Sequence, residues 1–158
     1  MSDDLEAKIN WLEALERIRT VKHKYFISLD KARWDDVVSC FTEDAVIDVG
    51  LGTQTGRAEI AKLFQDVYVN AFDWWAHQAS NPLIDITSDK TATGTWELEG
   101  FVVTKEPASG MWTAVFYEDE YRKVDGNWLI ARSVVVPIFR CDVEQGYTKQ
   151  RMVGLPED

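Results

Sequence analysis

Histidine and cysteine are scarce in this chain: its 158 residues hold two of each. Cys40 and Cys141 are too few for a disulfide framework and lack a metal-binding spacing, and with so few imidazoles a zinc site lacks ligands. Two reduced thiols in a cytoplasmic protein is the simplest assignment, with no metal. Basic residues are also short, 17 Lys and Arg against 27 Asp and Glu, for a formal net charge of -10. Such a surface repels phosphate polyanions and anionic lipid, which excludes nucleic acid and the membrane surface as partners. No run approaches the roughly 20 apolar residues of a membrane span. The start, Met1-Ser2-Asp3-Asp4-Leu5-Glu6, lacks the basic-then-apolar pattern of a secretion signal. There is no internal repeat, low-complexity stretch or linker, so residues 1–158 read as one domain.

Aromatic residues, by contrast, are plentiful, with seven Trp and seven Phe. Large flat side chains fill a core or line a cavity for a flat apolar ligand.

Leu5, Ile9, Leu12, Leu15, Ile18, Val21, Tyr25 and Leu29 recur at intervals of three and four, the stripe of one long amphipathic helix. Asp3 or Asp4 can cap its start. Residues 31–41 suit a short second helix, 45–49 a strand ended by glycines 50, 52 and 56, and 56–70 a further helix. The period then changes to two. Residues 74–87, 91–104, 111–124 and 127–140 read as long strands, and Asp125-Gly126 between the last two is a hairpin signal. Helices first and antiparallel strands afterwards predict an α+β domain in which a strongly curved, mainly antiparallel sheet wraps the N-terminal helices as a cone. The tail, 141–158, is expected to pack on the body or on a neighbouring subunit.

Three stretches carry a resemblance: Lys24-Tyr25-Phe26 with Leu29-Asp30 and Trp34-Asp35; Thr91-Ala92-Thr93-Gly94 with Trp96; and Tyr121 through Gly126 before the last strand. With the order of elements, they make the chain resemble the SnoaL-like members of the nuclear transport factor 2-like superfamily, its dehydratase and dehydrochlorinase members above all. The resemblance implies the cystatin-like roll as fold. It also implies an active site of Tyr25, Asp30 and His77, and elimination as the reaction type.

The chemistry suits those residue types. Removing a proton from carbon beside a carbonyl needs a positioned base with a pKa near the working pH, which imidazole has. His77 is that base in this reading, Asp30 fixes its tautomer, and Tyr25 donates to the oxygen where charge collects. Each also has a structural explanation: Tyr25 lies on the apolar stripe, Asp30 stands at a helix end, and His77 neighbours Trp74 and Trp75. His23, between Lys22 and Lys24, reads as solvated. Trp34, Trp75, Trp96, Trp112 and Phe116 are candidate cavity walls, and Asp48 and Arg140 are further candidates for substrate contact. Two departures stand out. Where the family's bile acid dehydratases carry a further acid this chain has Gly100, with Glu99 on the alternate face, and where they carry an arginine it has Pro137.

The reading is a cofactor-independent lyase of the dehydratase type acting on a small apolar, ring-containing substrate, whose own carbonyl or leaving group is the electron sink. A homo-oligomer, preferably a trimer, is expected. The same base serves an isomerase or cyclase equally well, and a noncatalytic ligand-binding or assembly subunit also fits the fold.

Overall fold

The expected stripe forms one 29-residue helix, α1 (Ser2–Asp30). The computed structural model describes residues 2–106 and 108–143. The expectation for the tail therefore falls, from residue 144 onward, outside the described residues. Among the described residues the second half of the stripe is the buried one: Ile18, Tyr25 and Leu29 are sealed, with Phe26 beside them, whereas Leu5, Ile9 and Leu12 are more than half exposed. Each sealed side chain of this size is worth roughly 1.5–3 kcal/mol relative to exposure, so the half of α1 nearest Asp30 anchors the helix.

The end of α1 is sharply defined. Arg33 donates its N–H to the Ser28 carbonyl at 2.8 Å and Ala32 donates to Leu29 at 3.0 Å, with Ala32 in the left-handed region at φ 51°. This double bond is the usual C-terminal lock of a helix, here built without glycine. It fixes the backbone beside Asp30.

After α2 (Trp34–Ser39) come strands β1 (Phe41–Asp48) and β2 (Thr53–Thr55), then α3 (Arg57–Lys62), a π-helical turn (Leu63–Tyr68) and α4 (Val69–Ala71). Four long strands complete the chain: β3 (Phe72–Ile86), β4 (Thr91–Thr104), β5 (Ser109–Val124) and β6 (Asn127–Asp142). Asp125 and Gly126, at φ 50° and 82°, make the β5–β6 hairpin turn that their identities predict. The six strands form one sheet in the order β2-β1-β6-β5-β4-β3, antiparallel except for the β1–β6 pair. The architecture is the expected α+β.

α1 packs against both β6 and the edge strand β3, although β5 and β4 lie between them. The sheet must therefore curl around the helix. Shifts of register at Ser80/Leu83 in β3, and in β6 at Ile138 opposite Ala114/Val115 and at Ala131 opposite Glu120/Tyr121, supply the bends. Leu29, Phe41, Ile47, Phe64, Trp96, Tyr117 and Ile130 meet in the core between helix and sheet. No helix among the described residues is long and apolar enough to cross a membrane.

Candidate active site

The locked end of α1 and the start of β3 bring Asp30 and His77 together. Asp30 accepts two hydrogen bonds from one residue: His77 Nδ1 lies 2.7 Å from Oδ1, and the His77 backbone N–H donates to Oδ2 at 3.1 Å. A carboxylate can only accept here, so the ring proton of neutral His77 resides on Nδ1 and the lone pair on Nε2 faces away from Asp30. The His77 side chain is 9% exposed and that of Asp30 29%. Trp75 secures the arrangement from two residues away, since its indole N–H donates at 3.0 Å to the Leu29 carbonyl and ties the end of α1 to β3.

Nε2 faces a cavity of about 100 Å³ lined by Tyr25, Leu29, Phe64, Tyr68, Leu98, Val102, Thr113, Val115, Tyr117, Val135 and Arg140, with Val49, Gly50 and Leu51 from the loop after β1. Its walls are apolar and its polar groups few, the usual make-up of a small-molecule site. The space suits a small ligand or one ring of a larger one. Larger surface grooves, of about 730, 620 and 320 Å³, lie elsewhere. The first is lined by charges already engaged with each other, such as Arg57 with Glu43 and Arg122 with Asp44.

Tyr68 Oη lies 3.3 Å from His77 Nε2, and because that nitrogen carries the lone pair, the phenol is the donor. Sequence reasoning missed Tyr68. The available signal was its place on the helical face that carries Phe64, nine residues before His77. Tyr25 is 1% exposed and its phenol hydrogen-bonds with that of Tyr117, another residue not singled out in the sequence. Burial pushes the phenols of Tyr25, Tyr68 and Tyr117 well above the ordinary range, so all three remain protonated donors.

The remaining expectations divide. Arg140 lines the cavity. Sequence parity groups it with Arg132, but the register shift in the β5–β6 ladder pairs Arg140 with Thr113, which lines the cavity, and Arg132 with the exposed Glu120. A bulge has separated the two arginines to opposite faces. Trp34 and Trp75 sit one layer behind the cavity, Trp34 parallel to Phe64 and Trp75 edge-on to Tyr68. Trp96 is on the inner face of β4 but farther along, fully buried with its N–H on Tyr121 Oη at 2.9 Å. Trp112 and Phe116 alternate with Thr113, Val115 and Tyr117 and so face the other side of the sheet, where Trp112 packs against Phe101 and Phe139. Asp48 accepts from the Gly50 N–H at 3.0 Å and from Thr53, shaping the loop rather than lining the cavity. For these aromatic residues the expectation of a wall is thus corrected to support or outer-face packing.

Gly100 lies directly opposite His77 in the β3–β4 ladder, and a Cβ there would come within 3.1 Å of Thr113 Cγ2. Glu99 is exposed on the alternate face, as the pleat requires. Pro137 pairs with Val115 just before the β6 bulge. His23 is exposed at its edge, yet its ring also touches Trp96 at 5.6 Å between centroids.

A model of the SnoaL-like domain matches residues 11–134. The chain belongs to this family. Among curated relatives of the SnoaL-like chain, the uncharacterized protein Rv2910c of Mycobacterium tuberculosis (strain ATCC 25618 / H37Rv) is 25% identical over 117 residues, 73% of this chain and 80% of its own length. Among solved structures, the hexachlorocyclohexane dehydrochlorinase LinA-type3 from Novosphingobium barchaimii LL02 superposes with a TM-score of 0.82 at 18% identity, covering 91% of this chain and 99% of its own. An NTF2-like protein with a cystatin-like fold from Novosphingobium aromaticivorans superposes at 0.72 with 23% identity, over 86% and 89% of the two chains. At these identities the structural likenesses establish the fold of the SnoaL-like chain, and its chemistry rests on its own side chains.

Proposed function

We propose that this protein is a cofactor-independent lyase that removes a proton from carbon and expels a leaving group from the neighbouring carbon of a small, mostly apolar, ring-containing carbonyl compound. The observation that carries the reading is the double grip of Asp30 on His77, 2.7 Å to the ring and 3.1 Å to the backbone, which turns the Nε2 lone pair toward the cavity, where the Tyr68 phenol meets it. A base held in one tautomer loses no time in the wrong one, and the adjacent carboxylate stabilises the imidazolium as it forms. Dehydrochlorination by the solved LinA proteins, as their names state, is elimination of the same general kind on the same fold.

In this reading His77 takes the proton and Asp30 holds and supports the ring. Tyr25, with Tyr117 hydrogen-bonded to it, polarises the substrate oxygen on which enolate charge gathers. Arg140 faces polar substituents at the mouth. Trp75 and Trp34 act through the residues they position. The protein would work in the cytoplasm as a homo-oligomer, a trimer or dimer in which neighbouring copies cover Leu5, Ile9 and Leu12 of α1 and Trp74 of β3; light scattering after size exclusion measures the assembly.

The test of function is a panel of aryl, steroid-like and alicyclic β-hydroxy and β-halo carbonyl compounds, incubated with the protein and with His77→Ala and read by mass spectrometry. Loss of water or hydrogen halide by the wild type alone supports the lyase. A product of unchanged mass would replace it with an isomerase or cyclase on the same base, and no conversion of any member would favour a ligand-binding role.

A further inference from the structure

The elimination described so far does not use the phenol that hydrogen-bonds the reacting nitrogen of the base. Tyr68 Oη sits 3.3 Å from His77 Nε2, on the side of the imidazole opposite Asp30. The residue is 7% exposed, and its ring is held by Phe64, Phe72 and Trp75 at centroid distances of 5.9, 4.8 and 5.0 Å. It closes the π-helical turn Leu63–Tyr68. Such turns are uncommon, and they recur where a side chain must be aimed at a site. Base and phenol both line the cavity, with their reacting atoms in contact.

We propose, resting on the lyase reading, that Tyr68 is the catalytic acid: it protonates the departing hydroxyl on the same face from which His77 takes the carbon-bound proton, so that water leaves by syn elimination. The C–H bond breaks toward Nε2 and its electron pair becomes the π bond. The C–O bond breaks with its pair on oxygen, which receives the Tyr68 proton and leaves as water. An imidazolium and a phenolate remain in direct contact. Return of the proton from Nε2 to Tyr68 Oη restores both, so the cycle consumes nothing but substrate. The contact seen at rest is the path of that last step.

Geometry favours this acid over the other phenols. Tyr25 and Tyr117 are hydrogen-bonded to each other, whereas Tyr68 is bonded to the base itself. Desolvation keeps Tyr68 protonated until the imidazolium forms beside it, and the adjacent positive charge then stabilises the phenolate. An anti elimination needs the acid on the opposite face from the base, and a phenol beside Nε2 cannot reach that face.

The test uses a β-aryl-β-hydroxy ketone of one configuration at the carbinol carbon, bearing a single deuterium on the α-carbon and prepared as both diastereomers. In forming the E alkene, syn elimination removes one of the two α-hydrogens and anti elimination the other, so the deuterium content of the product reads the face. The wild type is expected to lose the syn label. Tyr68→Phe is expected to slow this substrate by at least ~10²-fold, the lower end of what a positioned acid contributes, and to slow the matching β-chloro ketone much less, because chloride departs without a proton. NMR of the His77 Nδ1–H in the variant confirms that the base is still held. Loss of the anti label, scrambling of the label, or equal slowing of both substrates would overturn the assignment while leaving the lyase intact. No alkene from any probe with the wild type would count against elimination itself and take this assignment with it.

Discussion

Two acid–base pairs, both involving α1, have opposite fates. At its end Asp30 holds His77, with 29% of the carboxylate side chain exposed and the far imidazole nitrogen facing a cavity. Two turns earlier Lys22 meets Asp119 at 2.7 Å with both side chains at 0% exposure. Around the second pair every valence is filled: Tyr121 and Ser133 each donate to Asp119 at 2.6 Å, Trp96 donates to Tyr121, and the ammonium lies 4.0 Å from the centre of the Tyr117 ring. Saturated and dry, that network has no orbital left for a substrate. The His77 pair keeps its Nε2 lone pair on the cavity side, where the hydroxyl of Tyr68 hydrogen-bonds it and both residues line the open space. A paired charge sealed on every side is architecture, and a pair whose far atom lines a cavity is available for chemistry.

The comparison breaks most decisively at the base. His77→Ala should lower turnover by ~10²–10⁴-fold with the melting temperature little changed, and Asp30→Asn should slow chemistry by a comparable factor through the wrong tautomer. Steady-state rates beside thermal melts check both, and loss of folding in either variant would make the pair structural. The sealed pair should behave in the reverse sense. Lys22→Met or Asp119→Leu alone strands a buried charge and should cost about 3–5 kcal/mol, while the double replacement recovers most of it. Urea denaturation of the two single variants and the double variant measures this. A single variant without loss would mean that the interior admits water.

Alkali should strain both regions through their phenols. Burial raises Tyr25, Tyr68, Tyr117 and Tyr121 above their ordinary value of 10.0. Below pH 10 folded and unfolded chains both hold these protons; above it the unfolded chain releases them and the folded chain does not, so stability falls as pH rises. The melting temperature should drop beyond pH 10, with phenolate absorbance appearing only as the chain unfolds. Phenolate signal from a folded chain would show that the cavity is wetter than its lining suggests. The smallest effect is expected from Trp75→Phe, which removes the hydrogen bond to Leu29 and should cost about 1 kcal/mol in stability. Its turnover should fall more than that of a comparable surface tryptophan variant, because the clamp holds Asp30 against His77.

Local pattern made much of the fold legible. The three-and-four spacing marked α1 to within a few residues of its ends, strict alternation marked the four long strands, and Asp125-Gly126 marked their last turn. Asp30 and His77 were legible only with the help of a resemblance, since 47 residues and a change of element separate them. The aromatic walls were misplaced because each strand has two faces and alternation does not say which is inner: Thr113, Val115 and Tyr117 took the cavity, and Trp112 and Phe116 the outside. Lys22 stood in plain view on the apolar stripe between Ile18 and Tyr25, and a lysine in that position signals either a snorkelling chain or a buried ion pair.

The amino-acid order by itself determined the succession of elements, because helix stripe, strand alternation and turn chemistry depend on near neighbours along the chain. Tertiary structure alone decided which charges were sealed and which stayed open. Bulges in β3 and β6 and the curl of the sheet set the face of Arg140, the meeting of Asp30 with His77 and the reach of Tyr68, and each of these depends on contacts between residues far apart in sequence, with an accuracy of about a bond length that no local pattern carries.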